Sequence, residues 1–180
     1  WQSASVREGW RITHTEESIR AGAFSIDCDA GSLSITGRID RIDRHLETGS
    51  SRVIDYKTSR TPSPPDKLHR KGSGKKKTWI DLQLPLYRRL ARTLGVEGEI
   101  ELGYIVLPRN CTETGFLGAE WTEEELAGAD AVTEAAVHGI LSGDFFQLND
   151  VPAGRFGELS GLSMICQDDL PHDPRTVHWK

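Results

Sequence analysis

Cysteine is scarce in this chain, which holds only Cys28, Cys111 and Cys166 among 180 residues. The three are far apart and form no C-x-x-C pair, so neither a four-thiolate iron–sulfur cluster nor a Cys/His zinc site finds its ligands. An odd, scattered set points instead to reduced thiols in a cytosolic protein. No signal peptide, long apolar run or lipidation string occurs, and a cytoplasmic setting is the expectation. No internal repeat is present. No P-loop or dinucleotide glycine pattern follows a strand, which leaves a phosphate-binding metabolic enzyme without support.

Positive charge is also in deficit: 22 Lys and Arg face 27 Asp and Glu, a net of −5 that at first argues against a polyanionic partner. The distribution says more than the sum. Lys67, Arg70, Lys71, Lys75, Lys76 and Lys77 crowd one connection, while acids gather elsewhere, as at Glu120, Glu123, Glu124 and Glu125. Screening limits charge effects to about 10 Å at moderate salt, so a segregated basic loop can meet phosphates on an acidic protein. The Gly72-Ser73-Gly74 run equally suits a solvated loop with no partner. With 37% hydrophobic and 27% charged residues, the composition is that of one soluble domain with a real core.

What is present in strength is a pair of short strings. In Val53-Ile54-Asp55-Tyr56-Lys57, alternate residues share a strand face, so Asp55 and Lys57 project together. Leu33 to Asp40 alternates apolar residues at Leu33, Ile35 and Ile39 and reads as the preceding strand. The polar connection from Asp43 to Arg52 contains Gly49, which predicts a hairpin that brings Asp40 beside Asp55. Two carboxylates with water and phosphate oxygens suit Mg²⁺ or Mn²⁺ better than Zn²⁺. Lys57 supplies positive charge beside them. The same triplet also fits a solvated strand face with a weak surface ion pair. A third element is predicted from Trp79 to Leu94, a helix with Ile80, Gln83, Tyr87, Leu90 and Leu94 at three- and four-residue spacing. Gln83 and Tyr87 lie a turn apart on one face, and a glutamine within an apolar stripe needs a polar partner or water.

Together, Gly37-Arg38-Ile39-Asp40-Arg41-Ile42-Asp43, Ile54-Asp55-Tyr56-Lys57-Thr58 and Asp81-Leu82-Gln83-Leu84-Pro85-Leu86-Tyr87 resemble, in order and spacing, the RecB-like branch of the PD-(D/E)XK nuclease superfamily. The resemblance spans Thr36 to Tyr87, and Trp10 to Cys28 resembles the strand pair that precedes the first motif. It implies a restriction-endonuclease-like α/β core, a mixed central sheet flanked by helices. It further implies that Asp40 and Asp55 bind the metal, that Tyr56 contributes its backbone carbonyl, and that Lys57 is catalytic. Gln83 and Tyr87 then organise the site, with Tyr87 also contacting DNA beside Lys71, Lys75, Lys76 and Lys77. Asp43 falls on the opposite strand face and is a structural candidate. By the same resemblance the activity is a Mg²⁺- or Mn²⁺-dependent DNA exonuclease in recombination or double-strand-break repair, joined to a helicase domain or subunit. The alternative is a nuclease-fold module that binds DNA or scaffolds such a complex without turnover.

The chain also departs from that pattern. The branch usually carries a metal-ligand histidine on an upstream helix, whereas His14 falls in a predicted strand and His45 in the predicted turn. Some members hold an iron–sulfur cluster through four cysteines, which this chain does not contain. The opening Trp1-Gln2-Ser3, without Met, suggests a fragment of a longer polypeptide whose isolated activity is weak or absent. Residues 1–180 are read as a single domain, with 147–180 as a C-terminal extension.

The remaining elements are conventional. Glu99 to Leu107 predicts a strand parallel to that of Asp55, with the helix as crossover, and Pro108 stops it. Thr122 and Glu125 are spaced as a capping box. The helix they open is expected to turn Leu126, Ala129, Val132, Ala136 and Ile140 to the core and to end at Gly143.

Overall fold

The computed structural model describes residues 1–58, 63–74 and 77–143. The expected 147–180 extension lies outside the described residues. Five strands, β1 (Trp10–Ile19), β4 (Gly37–His45), β5 (Ser51–Lys57), β8 (Ile100–Val106) and β9 (Gly115–Gly118), form one sheet in the order β1-β4-β5-β8-β9. All neighbours are antiparallel except β5 and β8, which run parallel with α3 (Gln83–Thr93) between them in the chain. This is the mixed sheet flanked by helices that the restriction-endonuclease-like expectation required. The β4–β5 hairpin forms, turning at Gly49 with φ 76°. That backbone region is open to glycine without a steric penalty.

One face of the sheet packs on α3. Ile39, Ile42, Val53, Leu102, Tyr104 and Val106 meet Leu84, Leu90 and Ala91 in a single buried cluster. Each large aliphatic side chain so buried contributes about 1.5–3 kcal/mol. Gly37 allows the close approach: a Cβ there would stand 3.1 Å from Leu90 Cδ1. Three smaller elements, α2 (Pro65–His69), β6 (Arg70–Lys71) and β7 (Thr78–Trp79), form an insert between β5 and α3.

Several boundaries differ from the expectation. Helix α3 starts at Gln83 rather than Trp79, because Pro85 is tolerated only in a first turn, where its missing N–H has no partner to lose. Residues 78–79 instead pair with 70–71 as β6 and β7. The predicted strand from Leu33 to Asp40 is broken at Ile35–Thr36. Its first half, β3 (Gly31–Ser34), pairs with β2 (Ser25–Cys28) in a separate two-stranded sheet. The strands upstream of the first motif are therefore not paired with each other; β1 pairs with β4.

Helix α4 (Glu123–Ser142) has the expected capping box, with Thr122 Oγ1 accepting from Glu125 N–H at 3.2 Å and Glu125 Oε2 from Thr122 N–H at 3.0 Å. It ends at Gly143 in the left-handed region. Its core face is Leu126, Ala129, Thr133 and Val137, whereas Val132, Ala136 and Ile140 are exposed. Two successive three-residue steps rotate Val132 about 120° from Leu126, while Thr133 lies about 20° away. Thr133 is satisfied in the core by donating to the Ala129 carbonyl at 2.8 Å.

A short helix α1 (Gln2–Arg7) precedes β1, and the face of the sheet away from α3 holds a polar pair beside it. Asp43 is fully buried and accepts from Arg41 Nε and Nη2, both at 2.6 Å. Arg41 also lies under the Trp1 ring, 5.4 Å from its centroid. Asp43 thus has a structural partner.

Candidate active site

Strand β5 runs beneath the first turn of α3, and regular alternation turns Val53, Asp55 and Lys57 toward that helix. Asp55 is buried and sits in register with Tyr104 of β8. Its Oδ2 lies 2.7 Å from Lys57 Nζ, a charge-assisted contact. Its Oδ1 accepts from Gln83 Nε2 at 2.8 Å. Gln83 Oε1 in turn accepts from Lys57 Nζ at 3.1 Å, and Nε2 donates again to Tyr87 Oη at 3.1 Å. Lysine only donates and a carboxylate only accepts, which fixes the orientation of the amide. Gln83 is the clamp that joins both halves of the ion pair.

Asp40 arrives by a different route. The β4–β5 ladder ends at Arg41 opposite Ile54, and beyond it Asp40 Oδ2 accepts from Tyr56 N–H at 3.0 Å. The side chain takes a bond that the ladder would otherwise supply. Ile39 and Ile42 both belong to the core cluster on the α3 side, which strict alternation forbids. The strand slips between them, at Asp40 and Arg41. On the adjoining strand Glu16 carries φ 51°, a strained value for a non-glycine residue.

Burial raises the Asp55 carboxyl above its ordinary value; Lys57 opposes the shift and the charge of Asp40 adds to it. Burial likewise raises the Tyr87 phenol, with Asp55 and Asp40 adding to the effect. Two carboxylates, one of them buried and raised further by the charge of the other, are a donor set suited to a hard divalent cation. Carboxylate oxygens of this kind suit Mg²⁺ or Mn²⁺ better than a softer ion. Among the described residues, no group of three or more His, Cys, Asp or Glu side chains gathers as a metal site.

The other histidines foreseen near the motif have local tasks. His45 Nε2 donates to the Glu8 carbonyl at 2.7 Å while Nδ1 accepts from Glu47 and Thr48 N–H. His14 Nδ1 contacts Thr13 Oγ1 at 3.1 Å. The basic segment divides as well. Lys71 is exposed on β6, and Lys75 and Lys76 lie outside the described residues. Lys77 Nζ pairs with Asp66, holding that carboxyl below its usual range. Arg70 bonds Glu125 at 2.5 Å and Asp66 at 3.3 Å and packs over Trp79. Part of the basic segment therefore fastens the insert to α4.

The sequence reading missed His69. It is fully buried, its Nδ1 lies 2.8 Å from the Asp81 carbonyl, and its Nε2 lies 2.5 Å from Tyr104 Oη. Its place just ahead of a basic run carries no periodic signal.

With this geometry in place, the comparison with known families is decisive: the model describing the PD-(D/E)XK nuclease superfamily matches residues 1–166. The chain belongs to that superfamily. A comparison with curated proteins finds no match. PD-(D/E)XK superfamily members are typically metal-dependent nucleases. No described helix is long and apolar enough to cross a membrane.

Proposed function

We propose that this PD-(D/E)XK domain is of the RecB-like branch and hydrolyses DNA phosphodiesters as a Mg²⁺- or Mn²⁺-dependent exonuclease in recombination or double-strand-break repair, alongside a helicase domain or subunit. The observation that carries the reading is the Gln83 amide, which links Asp55 to Lys57 across 28 and 26 positions of chain. A surface ion pair has no need of such a clamp. Asp40 and Asp55 would hold the cation, with the Tyr56 carbonyl as a further oxygen. When bound, the ion neutralises charge on the phosphate and lowers the pKa of its water. Lys57 holds a proton-bearing nitrogen at the edge of the carboxylate pair, where it can donate to a phosphate oxygen as charge builds. Gln83 fixes Lys57 Nζ and Asp55 Oδ1 in one geometry, and Tyr87 caps the amide. Lys71 and the Lys75–Lys77 run would receive the DNA backbone, with the charge of Lys77 offset by Asp66.

The second reading is a nuclease-fold module without turnover that binds DNA or scaffolds a helicase–nuclease complex. It draws on the absence, among the described residues, of a third ligating side chain beside the two carboxylates. Labelled linear DNA incubated with Mn²⁺ and the chain, Asp55→Ala or Lys57→Ala separates the two. Release of nucleotides from ends by the unsubstituted chain alone supports the exonuclease. Equal cleavage by all three means contamination and removes the catalytic assignment. Salt-sensitive binding without cleavage supports the module.

A further inference from the structure

Beneath the clamp lies a second polar network, centred on His69 and Tyr104, which fall outside the motif strings. His69 is enclosed by Tyr104, stacked at 5.9 Å between ring centroids, and by Trp121, edge-on at 5.2 Å. Its Nδ1 faces the Asp81 carbonyl at 2.8 Å and Asp81 Oδ1 at 3.2 Å. Both are acceptors, so Nδ1 carries the proton. Burial lowers the pKa of the ring and keeps it neutral, which leaves Nε2 as an acceptor for the Tyr104 hydroxyl at 2.5 Å. The tautomer is thereby set from both ends.

Each end leads to the site. On one side, Asp81 Oδ1 also accepts from Gln83 N–H at 2.7 Å, holding the residue that bonds Asp55 and Lys57. On the other, the Tyr104 ring lies beneath Lys57 Nζ, 5.0 Å from the centroid, and Tyr104 is the β8 partner of Asp55. A cation over an aromatic face is attracted by about 0.5–2 kcal/mol, depending on how far it is desolvated. Two arms from one buried imidazole therefore converge on the same ammonium, one through the amide and one through the ring.

We infer that His69 and Tyr104 are positioning residues for phosphodiester hydrolysis: the neutral imidazole fixes the Asp81–Gln83 turn and the Tyr104 ring, and these together place Lys57 Nζ. The inference rests on the reading of Lys57 and Gln83 as working residues of a nuclease. A role confined to packing would make His69 replaceable by any group of similar volume. A positioning role ties each polar atom to a separate arm.

The test uses substitutions that remove one atom's function at a time. Tyr104→Phe keeps the ring and deletes the hydroxyl. His69→Asn keeps a donor near the Nδ1 position and loses the acceptor for Tyr104. His69→Gln keeps an acceptor near Nε2. Cleavage of linear DNA with Mn²⁺ gives kcat and KM. In parallel, the Lys57 Cε-methylene resonance in lysine-labelled protein, assigned by Lys57→Arg, reports the ring current of Tyr104 without requiring activity. Tyr104→Phe and His69→Asn are expected to lower kcat roughly tenfold to a hundredfold with KM unchanged, the size of effect that about 1 Å of misplacement produces. Both should shift the Lys57 resonance, and so should His69→Gln, which keeps the acceptor for Tyr104 but loses the Nδ1 donor to Asp81. Unchanged kcat and resonance in Tyr104→Phe and His69→Asn would overturn the inference. So would a loss confined to KM. If the parent chain does not cleave DNA, the nuclease reading fails by itself, and the resonance alone upholds or overturns the placement of Lys57.

Discussion

Gln83 Nε2 donates to Asp55 Oδ1 at 2.8 Å, from the first turn of a helix to the middle strand of the sheet. The bond unites two motifs that the chain carries separately, and it makes the amide an informative target for substitution. Gln83→Ala leaves Asp55 Oδ1 without its donor and Lys57 without its second partner. A ten- to hundredfold fall in kcat is expected, in line with about 1–3 kcal/mol for an unsatisfied buried group. Steady-state cleavage assays check it, and Gln83→Glu should do no better, because it sets a third carboxylate against Asp55.

Asp55 is held against its own charge. Burial raises its pKa, so the ionised form costs stability in the folded state relative to the unfolded chain. The native state keeps a proton up to a higher pH, and stability contributed by that proton is lost as pH rises through the raised value. At neutral pH without divalent ions, Asp55→Asn should therefore melt higher than the parent while losing all cleavage. Calorimetry in chelator, beside the activity assay, decides the matter; a lower melting temperature would contradict it.

The buried imidazole gives the opposite sign. Burial lowers the pKa of His69, so the unfolded chain takes up a proton that the folded chain refuses. Stability from this residue is complete above the unfolded value of 6.5 and falls as pH drops from there toward the lowered native value. Denaturant unfolding between pH 7 and 5 should show a loss for the parent that His69→Gln lacks. A common slope for both proteins would refute it.

On the far face, Asp43 neutralises Arg41 at 2.6 Å with neither side chain appreciably exposed. Asp43→Ala strands a buried guanidinium and should cost about 3–5 kcal/mol. Urea denaturation reads this directly.

The insert allows a test of charge against anchorage. Lys71 is exposed, whereas Lys77 is paired with Asp66. Lys71→Gln should weaken DNA binding and reduce the salt slope by about 0.9, one phosphate contact's worth. Lys77→Gln should change that slope less. Binding titrations across salt concentration measure both.

Much of the candidate site is legible in the residues themselves. Period-two alternation puts Asp55 and Lys57 on one strand face, and a three- and four-residue stripe puts Gln83 and Tyr87 on one helix face. Local rules of this kind need no partner, which is why the hairpin, the parallel strand after the helix and the Thr122 cap all read correctly. They fail where a neighbour decides. Val132 looks as apolar as any core residue, yet the axis of α4 presents Thr133 instead, because the tertiary contact selects one stripe among several of similar hydrophobicity.

The sequence by itself determined the chemistry: two acids, a lysine and an amide at spacings that local geometry turns toward common faces. Only the tertiary structure decided how they are held. The bond from Asp40 to Tyr56 N–H depends on where the ladder stops, and the burial that raises Asp55 depends on α3 closing over β5. His69 acquires its meaning only through Asp81 and Tyr104, 12 and 35 positions away. A buried imidazole has no periodicity to announce it; its partners are fixed by packing, and packing is a property of the whole sheet and helix rather than of any one string.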